Sequence, residues 1–233
     1  MGGCGRLGFD EDAVAIVAPL LELVTECGVA PSSADVEIVN DGTTTLVIEQ
    51  VTATGGFTVS TLLPLVIQPG ATGSLGVAPP AAVIGTDLPN TVKTGVLTIV
   101  TNEEAAPEHS IDLSARVFGA QIAIVDGLGA PVSLRFTSNN ACPSGTLLYA
   151  MNTGNRAASL TQMPASRLFA TSAFTGPIDA GTSGVFSVRA LTTGPCSGID
   201  TISYTVTGSA CSITPAVFDA SFTITGLNSC SCS

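Results

Sequence analysis

The chain has 233 residues, of which 45% are hydrophobic and only 11% charged, with 25 Gly and 14 Pro. Such a composition supplies a core and many turns but few of the Lys, Glu and Arg residues of exposed helices, and it is the opposite of a disordered tail. The formal net charge of −11 is carried by the first half: 14 of the 18 acidic residues and 3 of the 7 bases precede Gly119. With one lysine, Lys93, the inventory excludes a nucleic-acid partner, because phosphate contacts need clustered Lys and Arg.

No run of 18 apolar residues occurs, so no transmembrane segment is expected. AVAIVAPLLELV (13–24) is apolar but short, and Pro19 and Glu22 interrupt it. It lacks the basic start and cleavage site of a secretion signal, so an exported protein of this sequence would be in its mature form. Segment 12–24 has two readings: the first strand of its own domain, or a strand donated to a neighbouring subunit.

Short alternating strands bounded by Gly, Pro, Asn or Asp follow in chain order. In the first half they fall at 20–25, 34–40, 45–52, 56–60, 72–78, 95–101 and 110–117. In the second half they fall at 131–137, 146–152, 157–162, 166–172, 183–191, 200–207 and 217–225. Segments such as TGVLTIVT and TISYTVTG alternate as strands do when one face of each is buried between two sheets. Seven strands per half predict an all-β fold of two tandem seven-stranded immunoglobulin-like sandwiches.

The halves repeat one plan. VNDG (39–42) precedes IQPGATGSLGV (67–77), and MNTG (151–154) precedes IDAGTSGVFSV (178–188) at nearly the same distance. SIDLSA (110–115) and SFTITG (221–226) are separated by a similar offset. The expected organisation is an N-terminal segment at 1–19, sandwiches at 20–118 and 119–227, and a Cys-rich tail at 228–233.

The first half resembles the ASH-type domain (abnormal-spindle and Hydin), repeated in bacterial surface proteins of the "choice-of-anchor D" kind. Asn40, Gly42, Leu46, Ile48, Gly56, Phe57, Pro69, Gly70, Gly95, Leu97, Ile99, Thr101, Asn102 and Pro107 carry the resemblance, over roughly residues 20–117. The second half keeps Asn152, Gly154 and the turn at Gly181 but lacks the Thr-Asn pair. In the first half Ala78 stands where an aromatic is usual, and 81–94 reads as an inserted loop. The resemblance implies a structural, adhesive or scaffolding module without catalytic residues.

Seven cysteines, Cys4, Cys27, Cys142, Cys196, Cys211, Cys230 and Cys232, include no C-x-x-C pair, and His109 is the lone histidine. No metal, no cofactor and no catalytic thiol are expected from that set; disulfides in an oxidising compartment or buried free thiols are. In a seven-strand sandwich alternate loops share an end, which makes Cys142 and Cys196 the first candidate pair. Cys196 and Cys211 flank one strand and lie too far apart to bond. If the domains stack lengthwise, Cys27 and Cys211 form the second pair. Cys4, Cys230 and Cys232 remain as intersubunit candidates, suited to a head-to-tail homo-oligomer. Gly2-Gly3-Cys4 also resembles the triplet before a lipidated cysteine.

Little else offers chemistry. A Ser–His–Asp triad would need His109, expected in a solvent-facing loop, TNEEAAPEHS, with Glu103, Glu104 and Glu108 as surface residues. Asp10, Glu11 and Asp12 form an acidic run with two readings, a Ca²⁺ site or a solvated terminus. No N-x-S/T acceptor occurs. The expected function is a non-enzymatic extracellular or cell-surface structural subunit, with the periplasm as a further location, self-assembling into a filament or surface layer. The alternative is a monomeric adhesion or protein-binding module acting through loops or an edge strand.

Overall fold

The computed structural model describes residues 14–16, 20–162, 166–172, 174, 176–194, 196–214, 217–225 and 230–232, and all of its regular structure is β. The chain divides into two units, the first containing Val29–Ala81 and Thr91–Val117, the second containing Glu26–Gly28, Ala82–Asn90 and the chain from Phe118 onward.

The first unit contains β1 (Val14–Ile16), β2 (Leu20–Glu26), β3 (Ala34–Asn40), β4 (Leu46–Ala53), β5 (Thr58–Val59), β6 (Leu65–Ile67), β7 (Thr72–Ala78), β8 (Val92–Thr101) and β9 (Glu108–Phe118). One sheet has the order β1-β3-β7-β5 and the other β2-β9-β8-β4-β6. Val36, Ile38, Leu75 and Val77 of the first sheet share one core with Leu46, Ile48, Leu97, Ile99, Ile111 and Leu113 of the second. The alternation seen in sequence is the cause: every second residue of β9 from Ile111 to Val117 is buried. Phe57 is the aromatic residue of this otherwise aliphatic core.

The second unit contains β10 (Ala120–Val125), β11 (Leu134–Asn139), β12 (Thr146–Asn152), β13 (Ser159–Gln162), β14 (Phe169–Thr171), β15 (Ser183–Ala190), β16 (Thr192–Gly194), β17 (Ser197–Thr207), β18 (Ala210–Thr214), β19 (Val217–Thr225) and β20 (Cys230–Cys232). A five-stranded sheet, β14-β15-β12-β10-β18, faces a four-stranded one, β11-β19-β17-β13, across a shared core; β16 and β20 form a separate ribbon. This core is aromatic. Phe136, Phe169 and Phe222 touch in series with centroids 5.9 Å apart, and Phe186 meets Tyr204 edge-on at 5.3 Å.

Several readings change. Val14–Ile16 and Leu65–Ile67 add short strands to the seven expected in the first half, and Val14–Ile16 pairs antiparallel with β3 of the same chain. Ala120–Val125, inside the second sandwich but outside the strands expected there, is the strand β10, antiparallel to β12 and parallel to β18. Only Gly119 separates it from β9, so the sequence offered no run of turn residues to announce a new element. The 81–94 loop is shorter than expected, because β8 begins at Val92. His109 is not in a loop: β9 starts at Glu108, which leaves the residue half-buried on a strand.

Candidate functional site

The two N-x-G turns are built alike. Asn40, the last residue of β3, is buried and donates from Nδ2 to the carbonyls of Thr44 at 2.8 Å and Ile67 at 2.9 Å, while its Oδ1 accepts the Gly42 amide at 3.1 Å. Asn152, the last residue of β12, is buried and donates to Arg156 at 2.7 Å and Ile178 at 2.9 Å, and accepts the Gly154 amide at 3.0 Å. The main chain repeats as well. The Asn40 carbonyl accepts from Gly70 at 2.7 Å and the Asn152 carbonyl from Gly181 at 2.8 Å, and both glycines have φ of 73°. That conformation suits Gly and strains most other residues. In each case one side-chain amide closes a turn and ties it to the strand or bridge beyond.

Elsewhere in the first unit Asn102 staples two strands, its Oδ1 accepting the Val47 amide at 2.7 Å and its Nδ2 donating to Thr45 O at 3.2 Å. Thr25 Oγ1 donates to Pro80 O at 3.0 Å. The buried polar residues Thr25, Asn40, Thr101 and Asn152 thus all bond to main-chain atoms of neighbouring turns or strands. His109 Nε2 lies 2.6 Å from Glu103 Oε2, and the Glu103 carboxylate also accepts from Thr101 Oγ1 at 3.2 Å. Glu103 is therefore half-buried and bonded, not a surface residue as its place in TNEEAAPEHS suggested; Glu104 and Glu108 are exposed.

Within the second unit Cys27 and Cys211 form a disulfide with Cα atoms 4.9 Å apart, and both residues are fully buried. The neighbouring main chain is knitted to it: the Cys27 amide donates to Phe118 O at 3.0 Å and the Gly85 amide to Cys211 O at 2.8 Å. Beside the bridge, Glu26 accepts from Ser209 Oγ at 2.5 Å and pairs with Arg156 Nη2 at 3.3 Å. The Arg156 guanidinium lies over the Phe118 ring, 4.4 Å from its centroid. Gly119 is required for space here, since a Cβ there would collide with Cys211 Sγ. None of Glu26, Arg156 or Gly119 was singled out from sequence; all are distant in the chain from Cys211.

Cys142 and Cys196 are each disulfide-bonded. The segments that hold them meet at the end of β19: the Asn140 amide donates to Thr225 O at 2.9 Å and the Ile224 amide to Cys196 O at 2.7 Å. Cys230 and Cys232 lie on β20, whose backbone pairs antiparallel with β16. Cys4 and the run Asp10, Glu11 and Asp12 lie outside the described residues.

Two further groups are held by their surroundings. Asp200 accepts from Ser166 Oγ at 2.7 Å and from the amides of Thr201 and Arg167, and the Ser166 hydroxyl above all holds its carboxyl below the usual range. Tyr204 sits in the aromatic core, where burial pushes its phenol up to about 12. Its hydroxyl lies on the Thr171 side, where Thr171 Oγ1 bonds to Gln162 Oε1, but makes no hydrogen bond of normal geometry itself. Among the described residues, no group of three or more His, Cys, Asp or Glu side chains is gathered to hold a metal ion, and no helix is long and apolar enough to cross a membrane.

These sheets and registers define the class: an all-β protein of immunoglobulin-like sandwiches. No family model matches the chain, and no curated protein matches it. Among solved structures it is similar to the human ASH/PapD-like domain 7 of CEP192, at 13% identity over 52% of this chain and 96% of that one, with a TM-score of 0.33. It is similar to the E. coli chaperone DraB, at 10% identity over 90% of this chain and 98% of that one, TM-score 0.36. The EC1–3 segment of mouse clustered PcdhgC3 aligns at 14% identity over 93% of this chain and 68% of that one, TM-score 0.42.

Proposed function

We propose that the chain is a non-enzymatic structural subunit of an oxidising compartment, extracellular, cell-surface or periplasmic, built from two related ASH-type sandwiches and joined head to tail with copies of itself. The carrying observation is where its polar side chains go. The buried amides and hydroxyls named above bond to the main chain of the fold, and the Asn40 and Asn152 side chains do so with main-chain groups at equivalent positions of their turns. The matched turns support a duplicated domain. The buried Cys27–Cys211 bridge supports the compartment, since such bonds persist where thiols are not kept reduced.

In this reading Cys142 pairs with Cys196, supported by the disulfide-bonded state of each and by the convergence of their segments on Thr225 and Ile224. Cys4 of one subunit meets Cys230 or Cys232 of the next, and a heterologous contact of that kind propagates into a filament or layer. Electron microscopy of the purified chain tests it. Filaments or sheets are expected; discrete particles of monomer size overturn the assembly. A second reading, a monomeric module that binds another protein through its loops, is favoured by Leu62 and Leu128, which are 91% and 94% exposed on loops between strands.

A further inference from the structure

We infer that the β16-β20 ribbon is a thiol–disulfide exchange site, at which Cys230 takes Cys196 over from Cys142. The inference rests on the head-to-tail reading above. In that reading the seven cysteines make the bridges Cys27–Cys211 and Cys142–Cys196 and one Cys4 bond to a tail cysteine of the neighbouring subunit, which leaves one thiol in each subunit. That thiol is Cys230 or Cys232, and both lie on β20. Backbone register sets Cys230 opposite Gly194 and Cys232 opposite Thr192. Cys196 follows Gly194 by two residues, so Cys230 is its diagonal neighbour across the ribbon and Cys232 lies one pair further off. Diagonal neighbours are about 7–8 Å apart and a disulfide needs Cα atoms within about 7 Å, so a shift of about 1 Å at the ribbon end suffices. Register therefore assigns Cys230 to the exchange and Cys232 to the next subunit.

The segments around Cys196 converge on the end of β19. The Cys196 carbonyl accepts from the Ile224 amide at 2.7 Å, and the Asn140 amide, two residues before Cys142, donates to Thr225 O at 2.9 Å. Cys142 is exposed, and Cys196 is half-buried against the core. In the exchange the Cys230 thiolate attacks the Cys196 sulfur. The Cys196–Cys230 bond forms as the Cys142–Cys196 bond breaks, and Cys142 leaves as a thiolate. The Cys230 proton goes to solvent and Cys142 takes one up, so no oxidant or reductant is consumed. Exposure suits Cys142 to leave, because water stabilises its thiolate. The exchange also changes how a subunit junction is held. β20 pairs with only three residues of β16, and so short a two-stranded ribbon is weak by itself. A Cys196–Cys230 bond fastens the strand that carries the intersubunit link to the residue preceding β17.

Rapid alkylation of the oxidised full chain held at about pH 8.5, where thiolate is abundant, tests the exchange by non-reducing digestion and peptide mapping. The two isomers hold bonds of the same number and kind, so at least about one part in ten of the label shared by Cys142 and Cys230 is expected on Cys142. Peptides joining Cys196 to Cys142 and to Cys230 should appear in the matching ratio. Cys230→Ser should leave Cys142 unlabelled and its bond to Cys196 complete. Cys142→Ser should drive Cys196 wholly onto Cys230, and Cys232→Ser should leave the division of label unchanged, with folding of each variant checked by circular dichroism. Label confined to Cys230, with Cys196 bonded only to Cys142, overturns the exchange and leaves the Cys142–Cys196 pairing standing. Label on Cys142 that persists in Cys230→Ser also overturns the exchange. Cys196 bonded to neither Cys142 nor Cys230 overturns the pairing and the exchange together. Label on Cys4 and Cys232 reports separately on head-to-tail joining.

Discussion

Replacing Asn152 by Ala removes two donations and at least one acceptance at once. The carbonyl of Ile178 then keeps only the Ala158 amide at 3.2 Å, and the carbonyl of Arg156 and the amide of Gly154 lose the Asn152 side chain at a partly buried turn. A net hydrogen bond is worth about 1 kcal/mol, so losing these three together should cost about 3 kcal/mol. For a unit of this size that lowers the melting temperature by on the order of 10 °C. Asn40→Ala breaks the matching bonds at Thr44, Ile67 and Gly42 and should cost nearly as much. Asn152 also accepts weakly from the Gln121 amide at 3.3 Å, which makes its loss the larger. Urea unfolding of each variant gives the energies, and amide hydrogen exchange gives the location. Asn40→Ala should expose the Gly42 and Gly70 amides and leave Gly154 and Gly181 protected, with the reverse for Asn152→Ala. Variants within about 0.5 kcal/mol of the parent, the scatter of a surface substitution, would refute the claim that these amides hold the turns.

Cys27→Ser with Cys211→Ser releases a link between residues 184 apart in sequence and should cost up to about 5 kcal/mol by chain entropy, read from urea midpoints. Gly119→Ala drives a methyl against the same bridge and should cost about 2 kcal/mol while raising the fraction of alkylatable thiol, measured by intact mass. Tyr204 contributes stability that is complete below the unfolded phenol range near 10 and is lost as pH rises through about 12, because its folded value is raised. Tyr204→Phe should therefore flatten the alkaline stability profile, and at about pH 7 it should be close to neutral, since the hydroxyl it removes makes no hydrogen bond of normal geometry.

How far the sequence was legible follows from which signals are local. The N-x-G turns were readable because the side chain that closes each turn lies two residues from the amide it accepts. Strands with one buried face announced themselves by alternation, β9 and β17 most clearly. Alternation failed where both faces are apolar: LLYAM in β12 shows no polar side, so its exposed Leu147 and Met151 could not be told from core. It also failed at β10, which follows β9 after one glycine, and at His109, whose loop is shortened because β9 already starts at Glu108. Glu26, Arg156 and Phe118 meet beside Cys211 only through the tertiary fold, and no spacing in the chain encodes that meeting.

Head-to-tail joining of subunits is tested by which cysteines bond between chains. Equal amounts of ¹⁴N- and ¹⁵N-labelled chain, mixed reduced and then oxidised together, would be digested without reductant and the disulfide-linked peptides mapped by mass spectrometry. Head-to-tail assembly predicts a peptide joining Cys4 to Cys230 or Cys232 with half of its population carrying one light and one heavy partner. Bridges confined to pairs within one chain, with no mixed-label peptide at Cys4, would contradict it.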